Sequence, residues 1–188
     1  MSRRSLDLVL SISALVVAVV LAIAGFLLMW GGNYANNTVT DQLTAQKISF
    51  GSADSLPADL QQYAGQQVTT GEQAKAYSDL INTHLQEVAD GKTYSEVSAA
   101  WIASSDDPTQ RDPALGAQRT TLFMGETLRG LLLNAYAFSV FGTIATIAAW
   151  VSWVAAVLLF VLAILGIVHS RRTPETEAVL AVKDPVTA

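Results

Sequence analysis

Residues 130–170 read GLLLNAYAFSVFGTIATIAAWVSWVAAVLLFVLAILGIVHS, 41 consecutive positions without Asp, Glu, Lys or Arg. A bilayer core needs about 20 apolar residues of helix. As one helix the run would reach roughly 60 Å at 1.5 Å per residue, about twice the hydrocarbon thickness. Half of it therefore crosses a membrane, and the other half must be covered by something else. Arg171 and Arg172 fix one boundary, and Trp150 with Trp153 is expected to mark the opposite interfacial belt. A span over 150–169 then leaves Gly130 to Ala149 outside it or in the headgroup layer.

Working outward from this stretch, a second charge-free block stands at the other end of the chain. Leu8 to Trp30 is 23 residues long and follows Arg3-Arg4. A secretory signal is one reading, since Ala22-Ile23-Ala24 resembles a small-residue cleavage site. Apolar sequence nevertheless continues through Phe26-Leu27-Leu28-Met29-Trp30, where a cleaved chain would turn polar, so an uncleaved signal-anchor is expected. Arg3-Arg4 and Arg171-Arg172 flank the two blocks at their far ends, and the positive-inside rule puts both pairs in the cytoplasm. The expected division is a cytoplasmic N-terminus (1–7), a first span (8–30), an extracytoplasmic helical domain (31–142), a second span (143–169) and a disordered cytoplasmic tail (170–188). The location is a plasma membrane crossed twice.

Composition bounds the chemistry. The chain is 51% apolar and only 14% charged, against about 25% charged in ordinary domains. There is no Cys, which removes disulfides, thiolate chemistry and Cys-ligated metals together. A net charge of −5 argues against nucleic acid, which requires clustered Lys and Arg. The loop 31–142 carries 12 acidic and 6 basic residues and is acidic overall.

Within that loop, Gly31-Gly32-Asn33 predicts a break and Asn33 to Thr44 an irregular segment. Lys47 to Phe50 suggests a short strand, and Pro57-Ala58-Asp59-Leu60 opens a helical turn ending near Gly65. A helix is expected over 71–90, with a capping box from Thr69 to Glu72, a stop at Gly91 and an apolar face of Ala74, Tyr77, Ile81, Leu85 and Val88. A second helix starts at Thr93, capped by Glu96, and carries Val97, Trp101 and Ile102. Residues 104–113 form a loop, and a third helix starts near Ala114 and continues into the second span.

Candidate sites are few. His84 and His169 are the only histidines, and the expected topology puts them on opposite sides of a membrane. Asp106, Asp107 and Asp112 lack the ligand order of a calcium loop and are read as solvated acids. No nucleophile elbow, Walker motif, dinucleotide fingerprint or HExxH appears. Neither catalytic residues nor a cofactor is expected.

Two sets of residues remain. Small residues line one face of each span: Ser11, Ala14, Ala18, Ala22 and Gly25 in the first, and Ala145, Ala149, Ser152, Ala156, Ala163 and Gly166 in the second. Their steps of 3 and 4 suit a left-handed helix pair. Around Gly130 to Ala149, apolar residues go all round the helix. The outer helices, through Tyr77, Ile81, Leu85, Val97, Trp101 and Ile102, cover only one side. Arg129, Asn134, Tyr136, Phe138 and Phe141 are the expected contacts to a partner, with Arg129 also able to pair with Glu126.

Gln62-Tyr63-Ala64-Gly65-Gln66, Gly91-Lys92-Thr93-Tyr94-Ser95-Glu96 and Leu128-Arg129-Gly130-Leu131-Leu132-Leu133-Asn134-Ala135-Tyr136-Ala137-Phe138 resemble an actinobacterial family of small membrane proteins. The resemblance covers roughly residues 56–145. It implies two transmembrane segments around an extracytoplasmic helical loop. Members often carry the label aromatic ring-opening dioxygenase LigA, and an extradiol enzyme of that kind needs iron held by two His and a carboxylate. Two histidines divided by a membrane cannot supply that site, so the label is rejected here. In size and topology the chain is also similar to an accessory subunit of the actinobacterial respiratory supercomplex, in which cytochrome bcc and the terminal oxidase travel together. The expected function is a non-catalytic accessory or stabilising subunit, with integral membrane proteins and the lipid bilayer as its partners. The alternative is a sensor whose acidic outer domain binds a small ligand.

Overall fold

The computed structural model describes residues 3–172 and 174, and these are helical without a strand. Four α-helices follow in order: α1 Arg3–Gln46, α2 Gly71–Val88, α3 Tyr94–Ala103 and α4 Pro113–Arg172, with three 3₁₀ turns in the connections. Two of them, α1 with 44 residues and α4 with 60, are long and apolar enough to cross a membrane. The tail expected to be disordered lies, beyond Arg172 and apart from Pro174, outside the described residues.

The chain packs as two units, one holding the helix pair up to Gly32 and from Ile144, the other Asn33–Thr143. In the first unit α1 and α4 run antiparallel. A Cβ at Gly25 would lie 2.5 Å from the Trp153 indole and 3.2 Å from the Ala149 carbonyl, and one at Gly166 would collide with Ser11 Oγ. Buried positions repeat at sevens, as Ser11, Ala18, Gly25 and Gly32 on α1 and Ala149, Ala156, Ala163 and Ser170 on α4. A seven-residue repeat is the signature of left-handed pairing, and small side chains let the two backbones approach. Most large apolar side chains of this unit are exposed; Phe26, Val157 and Leu162 are examples.

The second unit departs from expectation at its start. No break follows Gly31-Gly32-Asn33, and Asn33 to Gln46 is regular helix continuing α1. The reason is a buried seam that composition hid: the Asn36 amide sits over Gly142, and Val39 and Leu43, four apart, both enter the core. That seam outweighs the polar, turn-like composition, as tertiary packing commonly does. Lys47, at φ 53°, ends the helix.

The expected strand is also replaced. Residues 48–51 and 65–68 lie antiparallel with three backbone bonds, Phe50 N to Gln66 O, Gly65 N to Gly51 O and Val68 N to Ile48 O, at 2.8–3.0 Å. Only Ser49 and Gln67 form a bridge, so this is a clasp too short to count as strand. It folds Phe50 inward, where its ring stacks on Tyr63 and meets Tyr77 edge-on, both with centroids 5.2 Å away.

α2 runs antiparallel to α4. Its first residue, Gly71, backs onto Tyr136 and Ser139, and Leu85 lies over Gly125. The capping box falls one residue later than predicted. Thr70 Oγ1 accepts from Gln73 N, and Gln73 Oε1 accepts from the N–H of both Thr69 and Thr70. A Gln at the third position serves as well as a Glu there. Gly91, with φ 72°, closes the far end through its N–H to Gln86 O at 2.9 Å. The Thr93–Glu96 box of α3 is present in both directions. Val88 and Ile102, expected inward, are exposed.

α3 docks on the start of α4 through an aromatic and basic cluster. The Arg111 and Arg119 guanidiniums each lie 4.8 Å from the Trp101 ring centroid. Arg119 also donates to Ser98 Oγ and Tyr94 Oη at 3.0 and 3.1 Å. Asp107 and Asp112 have structural roles. Each caps the turn that follows it, Asp107 accepting from Thr109 N and Asp112 from Ala114 N.

Candidate functional site

Sequence pattern names two candidate sites, and each falls within one unit. In the helix pair, Ser11, Ala18, Gly25, Ala149, Ala156 and Ala163 are buried, and Ala14, Ala145, Ser152 and Gly166 are half-buried. Ala22 is exposed, yet its carbonyl accepts the Trp153 indole N–H at 3.3 Å. Trp153 therefore turns into the seam, where glycine at position 25 makes room for its ring. Periodicity misses this because a large residue stands where the pattern calls for small ones. The signal that could have found it is the one Gly among the seam residues of the first span.

These contacts also set the level of the helices. Ala149 and Trp153 lie beside Gly25, five residues and about 7.5 Å short of Trp30. The part of α4 level with Trp30 therefore precedes Ala149. At the other end, His169 Nε2 approaches Asp7 Oδ2 to 3.9 Å. Arg3-Arg4 and Arg171-Arg172 come to the same end of the pair.

The second site is the run 129–141 of α4, and its five candidates do not share a face. At 100° per residue Tyr136 stands about 160° round the helix from Phe138. Tyr136 is half-buried and backs onto Gly71 of α2. Arg129 Nη1 holds both Glu126 oxygens at 2.7 and 2.9 Å, while its buried Nε meets no hydrogen-bond partner among the described residues. Asn134, Phe138 and Phe141 occupy another side. Phe141 is 68% exposed, Phe138 54% and neighbouring Leu131 63%.

The cover over this run differs from the expected one. Leu85 and Val97 pack against Leu122, about two turns before the run begins on α4, and Trp101 lies against Gly116. The run itself is covered by α1 and α2, with Leu132 in one core with Val39, Leu43, Ala74 and Ala76. The extension of α1 was missed because Asn33 to Thr44 contains only two large aliphatic residues, Val39 and Leu43, among mostly polar ones.

Between the α1 extension and α4 lies an open groove of about 460 Å³, lined by residues 38–48 and 128–138. Val39, Leu43, Leu131, Leu132 and Phe138 give it apolar walls, and Gln42, Gln46 and Asn134 bring amides to it. No charged side chain lines it.

His84 and His169 belong to different units, and among the described residues no group of three His, Cys, Asp or Glu side chains could hold a metal. Comparison with protein-family models, with curated proteins and with solved structures gave no match to this chain. The fold and the two sites define an all-helical protein with two helices able to cross a membrane.

Proposed function

We propose that the protein is a non-catalytic accessory subunit that stabilises a larger membrane complex, with the integral subunits of a respiratory supercomplex as its partners. In this reading both termini lie in the cytoplasm and residues 31–142 outside. The observation that carries this reading is the open side of α4 between Leu131 and Phe141. α4 has 60 residues, three times the roughly 20 a crossing needs, and its excess keeps Leu131, Phe138 and Phe141 exposed. Soluble surfaces rarely leave so many large apolar side chains together without a partner. Asn134 stands within that side and would supply a hydrogen bond to the docked helix. Arg129 and Tyr136 support the surface from behind, through Glu126 and α2.

The pairing of the two basic ends supports the topology, because it gives the spans one basic side. Reporter fusions at Asp107 and after Ala188 test it, and an external C-terminus with an intact first span would overturn it. The docking reading is tested by changing Phe138 and Phe141 to Ser and copurifying from native membranes. Loss of a stoichiometric partner, with the variant still in the membrane, is expected. Retention of every copurifying protein would refute it.

A further inference from the structure

Apolar walls, three amides and the absence of a charged lining side chain mark the groove beside the α1 extension. Its volume, about 460 Å³, lies within the range of small-molecule sites. Residues 31–142 hold 18 charged side chains, and none of them lines it. An ionic ligand would enter without a counter-charge, which is costly against an apolar wall. The amides of Gln42, Gln46 and Asn134 make no hydrogen bond to another described residue. Donors and acceptors are thus left at the mouth of an apolar slot, the arrangement that orients a mostly apolar ligand by a few polar contacts.

We propose that this groove binds one chain of a neutral lipid, with the hydrocarbon against Val39, Leu43, Leu132 and Phe138 and an uncharged hydroxyl or ester group on the amides of Gln42 and Asn134. The groove shares Leu131, Asn134 and Phe138 with the side proposed for protein docking, and Phe141 lies outside it.

The test uses the full chain in phosphatidylcholine nanodiscs containing diacylglycerol with a diazirine in its acyl chain. After illumination, labelled peptides are mapped by mass spectrometry. Label is expected within 38–46 and 128–138, in addition to the spans. Gln42→Trp, at an exposed position of α1, closes the groove and should remove that label while leaving label on the spans. Gln42→Met with Asn134→Leu keeps the volume but removes the hydrogen bonds, and should weaken labelling about fivefold or more. A phosphatidic acid probe with the same chain should label the groove poorly. Label confined to the spans, equal labelling by the phosphate lipid, or label unchanged in Gln42→Trp would each overturn the proposal. A copurified protein that protects 38–46 and 128–138, with no lipid label there, would assign the groove to that protein and also overturn it.

Discussion

The same two helices build both units, and they do it by opposite rules. Up to Gly32 and from Ile144, α1 and α4 bury Ser, Ala and Gly and turn Val, Leu, Ile and Phe outward. In residues 33–143 they bury Val39, Leu43, Leu122 and Leu132 and meet small residues of α2 such as Ala74 and Ala76. In water, apolar area removed from solvent is the main driving force, so the largest side chains go inside. Between lipid chains that force is absent, and contact depends on how closely the backbones fit. The residue type at the seam therefore separates a helix pair of the kind that can cross a membrane from a unit packed around large apolar side chains.

The sharpest way to break the comparison is to cut a large side chain from one unit and add one to the other. Phe50→Ala removes the ring between Tyr63 and Tyr77. It should cost about 3–5 kcal/mol of stability in residues 33–143. Limited proteolysis in membranes should show cuts confined to that unit, with the helix pair protected. If the pair is digested equally, the two units are not independent in the way their packing implies.

In the helix pair the damaging change is an insertion. Gly25→Leu drives a side chain into Trp153 and should weaken pairing by about 1–3 kcal/mol. Gly31→Leu, where nothing lies within 4 Å of an added Cβ, is the matched control and should be nearly silent. The readout is the yield of a crosslink between the spans. Equal losses in the two variants would remove the argument for a seam built on close approach.

Much of this contrast was legible in the sequence. The small-residue steps in both spans, the Thr93–Glu96 box and the continuation of the third helix into the second span are patterns of spacing, and spacing survives in the chain. What was hidden depends on contacts between distant residues. Asn33 to Thr44 reads as a polar loop until Gly142 and Leu132 are known to lie against Asn36 and Val39. The groove has the same origin, because Gln42 and Asn134 are 92 positions apart and share no motif. The spread of Arg129, Tyr136 and Phe138 round α4 was computable from helical geometry alone, but which side α2 would cover was not.

Smaller effects sharpen the outer unit. Thr93→Ala breaks the box at the start of α3 and should cost about 1 kcal/mol, measurable as a lower midpoint in denaturant. Acid acts at the same place. Hydrogen bonds from the Thr93 backbone and hydroxyl hold the Glu96 carboxyl below its usual pKa, and those from Thr109 do the same for Asp107. A carboxyl with a lowered native pKa stabilises above the ordinary carboxylate range near pH 4, and that stabilisation is lost as pH falls through the lowered value. Because both groups are fully exposed, the effect is slight. Glu96→Gln should keep the cap and flatten part of the acid limb of the stability curve. An acid limb identical to that of the parent protein would show that the Glu96 charge contributes nothing.

The central claim is that α1 and α4 pair antiparallel through small residues across the spans. The chain has no cysteine, so engineered pairs are unambiguous. Ala18→Cys with Ala156→Cys, and Ser11→Cys with Gly166→Cys, place thiols at two levels of the seam. Val19→Cys with Leu158→Cys puts them on side chains that both point outward. Oxidation in native membranes should join both seam pairs within one chain and leave the outward pair free. Failure of both seam pairs, or equal joining of the outward pair, would contradict the account.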